Sequence, residues 1–178
     1  MNTMTRTELF DLLGKPARMQ QIARYDLFDP ALQTRLDAVA ARTASLLQTP
    51  ASMVTVVLDS SQFIIGQHGV PGWMGEAQGT PAEWALCTHT VLAGEPYCIT
   101  DGTADPAHAG NPLFATAPIR SYAGVPLRDD SGQVLGAHCV LDANPRTFTE
   151  DDLTVLTAGA AETLRILADH RTATNPAV

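Results

Sequence analysis

Charge of either sign is scarce in this chain. Asp, Glu, Lys and Arg together make up 17% of it. Basic charge is the scarcer of the two: 11 Lys and Arg stand against 19 Asp and Glu, a formal net charge of −8. That balance repels phosphate backbones and anionic lipid headgroups, so no nucleic-acid or membrane partnership through bulk charge is expected. Only a local basic pocket escapes the argument. Cysteine is also rare. Cys87, Cys98 and Cys139 are the three present. An odd, low count argues against a disulfide scaffold and for a reducing compartment, and no CxxC spacing offers a metal site. Long apolar runs are missing: none reaches the ~20 residues that a membrane span needs. The opening MNTMTRTELFDLLGK is broken by acidic residues and has no signal-peptide core. Together these features lead us to expect a cytoplasmic protein with no membrane association.

What is present is one domain's worth of sequence. The 178 residues, 45% of them hydrophobic, suffice for a single core. Residues 1–18 are mixed in character and read as a frayed N-terminal extension. Residues 19–170 read as the domain, and RTATNPAV (171–178) as a polar tail. Leu32, Leu36, Val39, Thr43 and Leu46 recur at steps of four and three, which makes a helical stripe that Pro50 ends. SMVTVVLD (52–59) and QFIIGQ (62–67) are rich in β-branched residues around Asp59-Ser60-Ser61, a hairpin. A Gly/Pro-rich loop follows. Thr80-Pro81-Ala82-Glu83 has the pattern of a capping box and predicts a helix through WALCTHTVLA that ends near Gly94. PYCIT (96–100) is a short strand. Asp105-Pro106 predicts a cap leading toward NPLF. RSYAGVPL (120–127) and QVLGAHCVLD (133–142) flank Asp129-Asp130-Ser131-Gly132 as a second hairpin. Thr149 opens a last helix with acidic groups in its first turn and a stripe at Leu153, Leu156, Ala160, Leu164 and Leu167. Hairpin-linked strands between two helices predict an α+β fold, with an antiparallel sheet and both terminal helices on one face.

Several stretches in this order carry a family pattern: LCTHTVLAGEPYCITDGTADP, then NPLF, then IRSYAGVPLRDDSGQVLGAHCVLDANPRTFTEDD. With RLDAVAARTASLLQTPASMVTVVLDSSQFIIGQHG upstream, residues 19 to about 168 resemble the GAF domain family, specifically its bacterial sensory branch. The resemblance implies a five- to six-stranded antiparallel sheet in the order 2-1-5-4-3. Terminal helices cover one face, and loops and short helices shape a small-molecule pocket on the other. Relatives bind cyclic nucleotides, bilins, haem or amino-acid metabolites, and pass a signal to an attached kinase, cyclase or phosphodiesterase. With no room for such a domain, this chain is expected to be a stand-alone sensory GAF protein. It would bind a small molecule of unidentified structure, form a homodimer through its terminal helices, and act on a separate signalling protein.

The segment WALCTHTV poses the chemical question. Residues two apart on a helix point about 200° apart, so Cys87 and His89 should not share a proton or a metal. Cys87 reads as a small buried hydrophobe or, alternatively, as a redox thiol. His89 reads as a hydrogen-bonded helix residue or a pocket contact. Methionine-sulfoxide reductases of the family carry a cysteine just before the fourth strand. Here that segment reads GNPLFATAPIR and has none, and the family's bilin-type Cys-His pair and cyclic-nucleotide signature are absent too. A GAF-fold redox enzyme using Cys87 or Cys98, or a haem sensor ligated by His138 or His89, remains the alternative to a non-catalytic sensor.

Strand parity suggests where a pocket would lie. Arg120 and Tyr122 share one face of their strand, while Ser121, Ala123, Val125 and Leu127 suit packing under helices. On the last strand Leu135, Ala137, Cys139 and Leu141 look like the helix-facing set, which would place His138 with Arg120 and Tyr122. The expected pocket therefore holds Arg120, Tyr122 and His138. It would be closed by the 101–118 loop with Asp101 and His108, and by the 84–91 helix with Trp84, Cys87 and His89. An Arg120–Asp101 bridge that merely pins the loop is the competing reading. The expected dimer seam would use Val155 and Ile166, off the main stripe of the last helix.

Overall fold

The computed structural model describes residues 4–171. Its sheet carries six antiparallel strands: β1 (Ala51–Val57), β2 (Ser61–His68), β3 (Gly79–Pro81), β4 (Tyr97–Ile99), β5 (Ser121–Arg128) and β6 (Val134–Asp142). They lie in the order β3-β2-β1-β6-β5-β4. The five expected strands keep their expected neighbours, and the short β3 is added beyond β2. Helices α3 (Pro30–Leu47) and α7 (Glu150–Asp169) cover one face, where Leu32, Leu36, Leu156 and Leu167 meet Val54, Val125 and Val140. The other face is covered by α1 (Arg6–Leu13), α4 (Gly72–Ala77), α5 (Cys87–Ala93) and α6 (Pro112–Thr116). Because β1 and β6 are central and covered on both sides, every residue of β1 is buried, as is all of β6 but Asp142.

Local chemistry sets most of the element ends. Thr149 caps α7 in a reciprocal box with Asp152, and Asn111 caps α6 with Pro112 at its first position. Gly94 ends α5 with φ +66°, donating its N–H to the Thr90 carbonyl, as its composition predicts. The α5 start differs from expectation. Thr80 and Pro81 pair with β2 as strand β3, and the Thr80 hydroxyl accepts from Gln62 Nε2 at 3.3 Å. Non-local pairing overrides the capping pattern, and only a single turn at 81–85 separates β3 from the helix.

Residues 5–13 fold against the domain, contrary to the expected fraying. Thr5 and Glu8 form a capping box on α1, and Leu13 is fully buried. In α2 (Pro16–Ile22), Arg18 is 5% exposed. Its guanidinium donates to the carbonyls of Val134 (2.7 Å), Leu13 (2.8 Å), Leu135 (3.1 Å) and Val57. It thus ties the end of β1, the start of β6 and the end of α1 together. Burial alone lowers its pKa to about 10.

Two details of the helix layer also depart from the reading of the sequence. Leu47 rather than Leu46 completes the α3 stripe, and Leu46 is 64% exposed. Ile166 is buried in the core and Val155 packs against it, so neither is a free seam for a second subunit. Residues 172–178 of the expected tail lie outside the described residues.

Candidate functional site

Helix α5 sends its two reactive side chains in opposite directions, as helical spacing requires. Cys87 faces the sheet, fully buried, with its Sγ 3.7 Å from Cys139 Sγ of β6. Tyr122 lies beside it, also fully buried, and its hydroxyl is 2.7 Å from Thr90 Oγ1. The ring needs Gly124 on its own strand: a Cβ there would sit 2.0 Å from the Tyr122 hydroxyl. Burial pushes the Tyr122 phenol well above its usual range.

His89 faces the other way, into a cluster built by the loop after β4. Its ring stacks on Tyr97 at 5.1 Å between centroids and meets His108 edge-on at 4.9 Å. The Tyr97 hydroxyl is 2.8 Å from His108 Nε2. Burial, aided by the neighbouring His108, lowers the His89 pKa to about 4. Burial also lowers His108, although Asp105 pulls it the other way, and burial raises Tyr97. At neutral pH the cluster is therefore uncharged. Neither ring nitrogen of His89 has a hydrogen-bond partner among the described residues.

His89 also lines a groove of about 350 Å³ between α1 and the stretch 82–92. Leu9, Ala82, Ala85 and Leu92 give it an apolar floor. Arg6 and Glu83 stand in its wall, with Arg6 Nε 3.3 Å from Glu83 Oε1. The other carboxylate oxygen, Glu83 Oε2, is buried and has no hydrogen-bond partner among the described residues. A buried oxygen lacking a donor is costly, so turning the Glu83 carboxyl toward the groove to meet a donor there would be favoured. Reasoning from sequence missed both residues. The sequence pattern puts Glu83 in a helix cap and Arg6 in a frayed extension. The Thr5-x-x-Glu8 cap and the spacing of Leu9 and Leu13 were the available signal that residues 4–13 fold against the domain.

The family description "GAF domain" matches residues 31–165. The chain belongs to the GAF domain family. A cyclic di-GMP phosphodiesterase from Pseudomonas aeruginosa is 27% identical over 142 residues, covering 79% of this chain. The chain spans only 23% of that relative's length. Among solved structures, the GAF domain of a Coxiella burnetii phosphoenolpyruvate-protein phosphotransferase superposes with TM-score 0.65 at 16% identity, covering 93% of this chain and 95% of that one. A type II free methionine-R-sulfoxide reductase from Thermoplasma acidophilum superposes with TM-score 0.63 at 13% identity, covering 79% and 95%. At such identities the structural likeness speaks for the fold alone.

Within this GAF domain the expected pocket residues do not come together. Tyr122 does lie opposite α3 and α7, but the space around it is filled by Leu86, Cys87, Val91, Ile99 and Leu113. Arg120 is on the surface and bridges Asp101, its Nε 3.2 Å from Oδ1, while Asp101 also takes the N–H and hydroxyl of Thr103. The bridge pins the loop, which is the competing reading. His138 lies on the other face. The β5–β6 register pairs Val125 with His138 and Gly124 with Cys139, and cross-strand partners share a face. His138 is therefore under α3 and α7; of the expected helix-facing set Leu135 does pack on that side, while Ala137, Cys139 and Leu141 lie on the opposite face. Its Nδ1–H donates to the Met53 carbonyl at 2.9 Å and its Nε2 accepts from the Thr43 hydroxyl at 2.8 Å. With both nitrogens engaged and no exposure, His138 is not a haem ligand in this structure. Trp84 is half-buried, edge-on to Trp73 at 6.4 Å, and its carbonyl accepts from Asn111 Nδ2. Among the described residues no group of three or more His, Cys, Asp or Glu is placed to hold a metal ion, and no helix is long and apolar enough to cross a membrane. Of the expected site residues, the structure brings His89 and His108 to one place and sets Cys87 and Tyr122 beneath them in the core.

Proposed function

We propose that this GAF domain is a non-catalytic sensory module that takes a small organic ligand in the groove between α1 and α5. The unpartnered Glu83 Oε2 carries the reading. A groove of about 350 Å³ is within the usual size for a small-molecule site, and it combines an apolar floor with few polar groups. The ligand presents an N–H or ammonium donor to Glu83 and an apolar body to Leu9 and Leu92. The uncharged His89 adds one donor and one acceptor without repelling a cation. Binding would hold α1 against α5. The signal would pass to an output enzyme, attached or separate, of the class suggested by the cyclic di-GMP phosphodiesterase relative. A cytoplasmic setting and a homodimer belong to the same proposal.

Isoamylamine is a suitable probe, with 4-methylpentanoate as the matched acid. Isoamylamine should shift the NMR signals of His89 and Leu92 in a saturable way, and Glu83→Gln should weaken it about tenfold, the loss of one charge-assisted bond of ~1.5 kcal/mol. Equal binding of the two probes, or unchanged binding in Glu83→Gln, would refute the role given to Glu83.

A further inference from the structure

Cys87 opens α5 and Cys139 sits in the middle of β6, fifty-two residues later. The fold nonetheless brings their sulfurs to 3.7 Å, and both are free and fully buried. A disulfide needs ~2.05 Å, so the remaining gap is only about 1.7 Å. That is a movement within reach of a short helix. Leu86, at the N-cap of α5, makes no capping side-chain bond, and the segment before it is a single turn rather than a continuous helix. On the other side β6 is fixed in the centre of the sheet, so closure would draw α5 toward it. The third cysteine, Cys98, is exposed on β4 and is not part of this pair.

We propose that Cys87 and Cys139 form a redox modification site, closed as an intramolecular disulfide by hydrogen peroxide. Peroxide is about the size of two waters and can reach a core position during local opening, which larger oxidants cannot. The Cys87 sulfur attacks one peroxide oxygen and the O–O bond breaks, leaving Cys87 as a sulfenic acid and releasing one water. The Cys139 sulfur then attacks Cys87 Sγ, the S–O bond breaks, and hydroxide leaves with the Cys139 proton as a second water. Two thiols and one peroxide thus become one disulfide and two waters. A dithiol such as dithiothreitol reverses the step. Cys87 is the attacking sulfur because it opens a short helix whose N-cap makes no side-chain bond, whereas Cys139 sits within the central strand β6. The consequence reaches the surface through α5 itself. His89 lies two residues along the same helix, and closure moves its ring relative to Tyr97 on β4 and His108 in the loop that follows. This site stands on the sulfur geometry and does not depend on what the groove binds.

The test uses the full chain carrying Cys98→Ser, so that only the buried pair can react. The reduced protein is exposed to hydrogen peroxide while folded, then denatured and treated with N-ethylmaleimide. The expected product is about 2 Da lighter, takes up no maleimide, and regains two reactive thiols after dithiothreitol. A proteolytic digest should contain the Cys87 and Cys139 peptides joined. Addition of about 16 or 32 Da without crosslinking, or two free thiols after peroxide has oxidised a dithiothreitol control, would overturn the site. The variant Cys139→Ala provides a second reading. It removes the resolving sulfur, so the same treatment should leave a sulfenic acid trapped by dimedone on Cys87. Absence of that adduct in a folded Cys139→Ala protein would overturn Cys87 as the attacking sulfur. His89 ring signals that do not move on oxidation would overturn the coupling to the surface.

Discussion

Replacing Arg18 by methionine measures what holds the N-terminal helices to the sheet. The substitution keeps a long unbranched side chain but removes every donor. Four backbone carbonyls, on Leu13, Val57, Val134 and Leu135, lose their partner. A buried acceptor left unpaired costs about 1–3 kcal/mol, so four sum to roughly 4–12 kcal/mol. Against this stands the relief of a buried charge. The guanidinium's pKa falls from 12.5 to about 10 on burial, worth about 3 kcal/mol of desolvation. The carbonyl side wins across its whole range. Partial relaxation and water entry at the strand ends keep the net near 4 kcal/mol, in line with the ~3–5 kcal/mol found when a buried charged group loses its counterpart. For a domain of this size each kcal/mol moves the melting temperature by about 2–4 °C, so Arg18→Met should melt roughly 8–16 °C lower. Urea unfolding followed by circular dichroism supplies the free energy directly. Arg18→Lys, with a single ammonium, should fall between the two. A loss below about 1 kcal/mol for Arg18→Met would mean that the four carbonyls are solvated without Arg18, and the clamp argument would fail.

Three further outcomes can be measured. His138 has its pKa lowered to about 4 by burial, so the unfolded chain, with an ordinary histidine near 6.5, binds the proton that the folded state refuses. Stability should therefore be full above pH ~6.5 and decline by up to about 3 kcal/mol as pH falls toward 4; an identical pH slope in a folded His138→Asn variant would contradict this. Gly136→Ala should cost at least ~3 kcal/mol, because a Cβ there would meet the Thr55 carbonyl oxygen at 1.8 Å in the neighbouring central strand; a melting temperature within 2–3 °C of the parent, roughly 1 kcal/mol, would show that the strands can part. The proposed homodimer on the α3 side would bury exposed Leu46, so light scattering should give a dimeric mass that Leu46→Lys returns to monomer; a monomeric parent at working concentration rejects the dimer.

The sequence made legible those features whose causes are local. A run of β-branched residues marked the first long hairpin and the Asp129–Gly132 turn the second, and Thr149 and Gly94 marked helix ends because capping is decided within four residues. Thr80 misled because its partner, Gln62, is eighteen positions away on another strand. The face of His138 was misjudged for a similar reason. Leu135, Ala137, Cys139 and Leu141 are as apolar as a helix-facing set, but β6 is covered on both sides, so composition does not tell its faces apart. Only the register with β5 does, and register depends on how the 129–132 turn closes. Alongside that register, Gly159 of α7 leaves room for the imidazole: a Cβ there would approach Nε2 to 2.6 Å. The candidate groove was hidden because it joins α1 to residues some eighty positions later, and neither half has a chemical pattern that announces the other.

The two strands that close the sheet, β3 and β4, are only three residues long each. An incoming peptide or a second molecule seeking to extend the sheet would find room for one or two backbone bonds per side, too few to offset the entropy of docking a chain. Growth by strand exchange is thereby discouraged in both directions. Recognition of this domain by another protein has to go through side chains on its helices and loops, where single substitutions can tune or abolish it, and not through a backbone ladder indifferent to sequence.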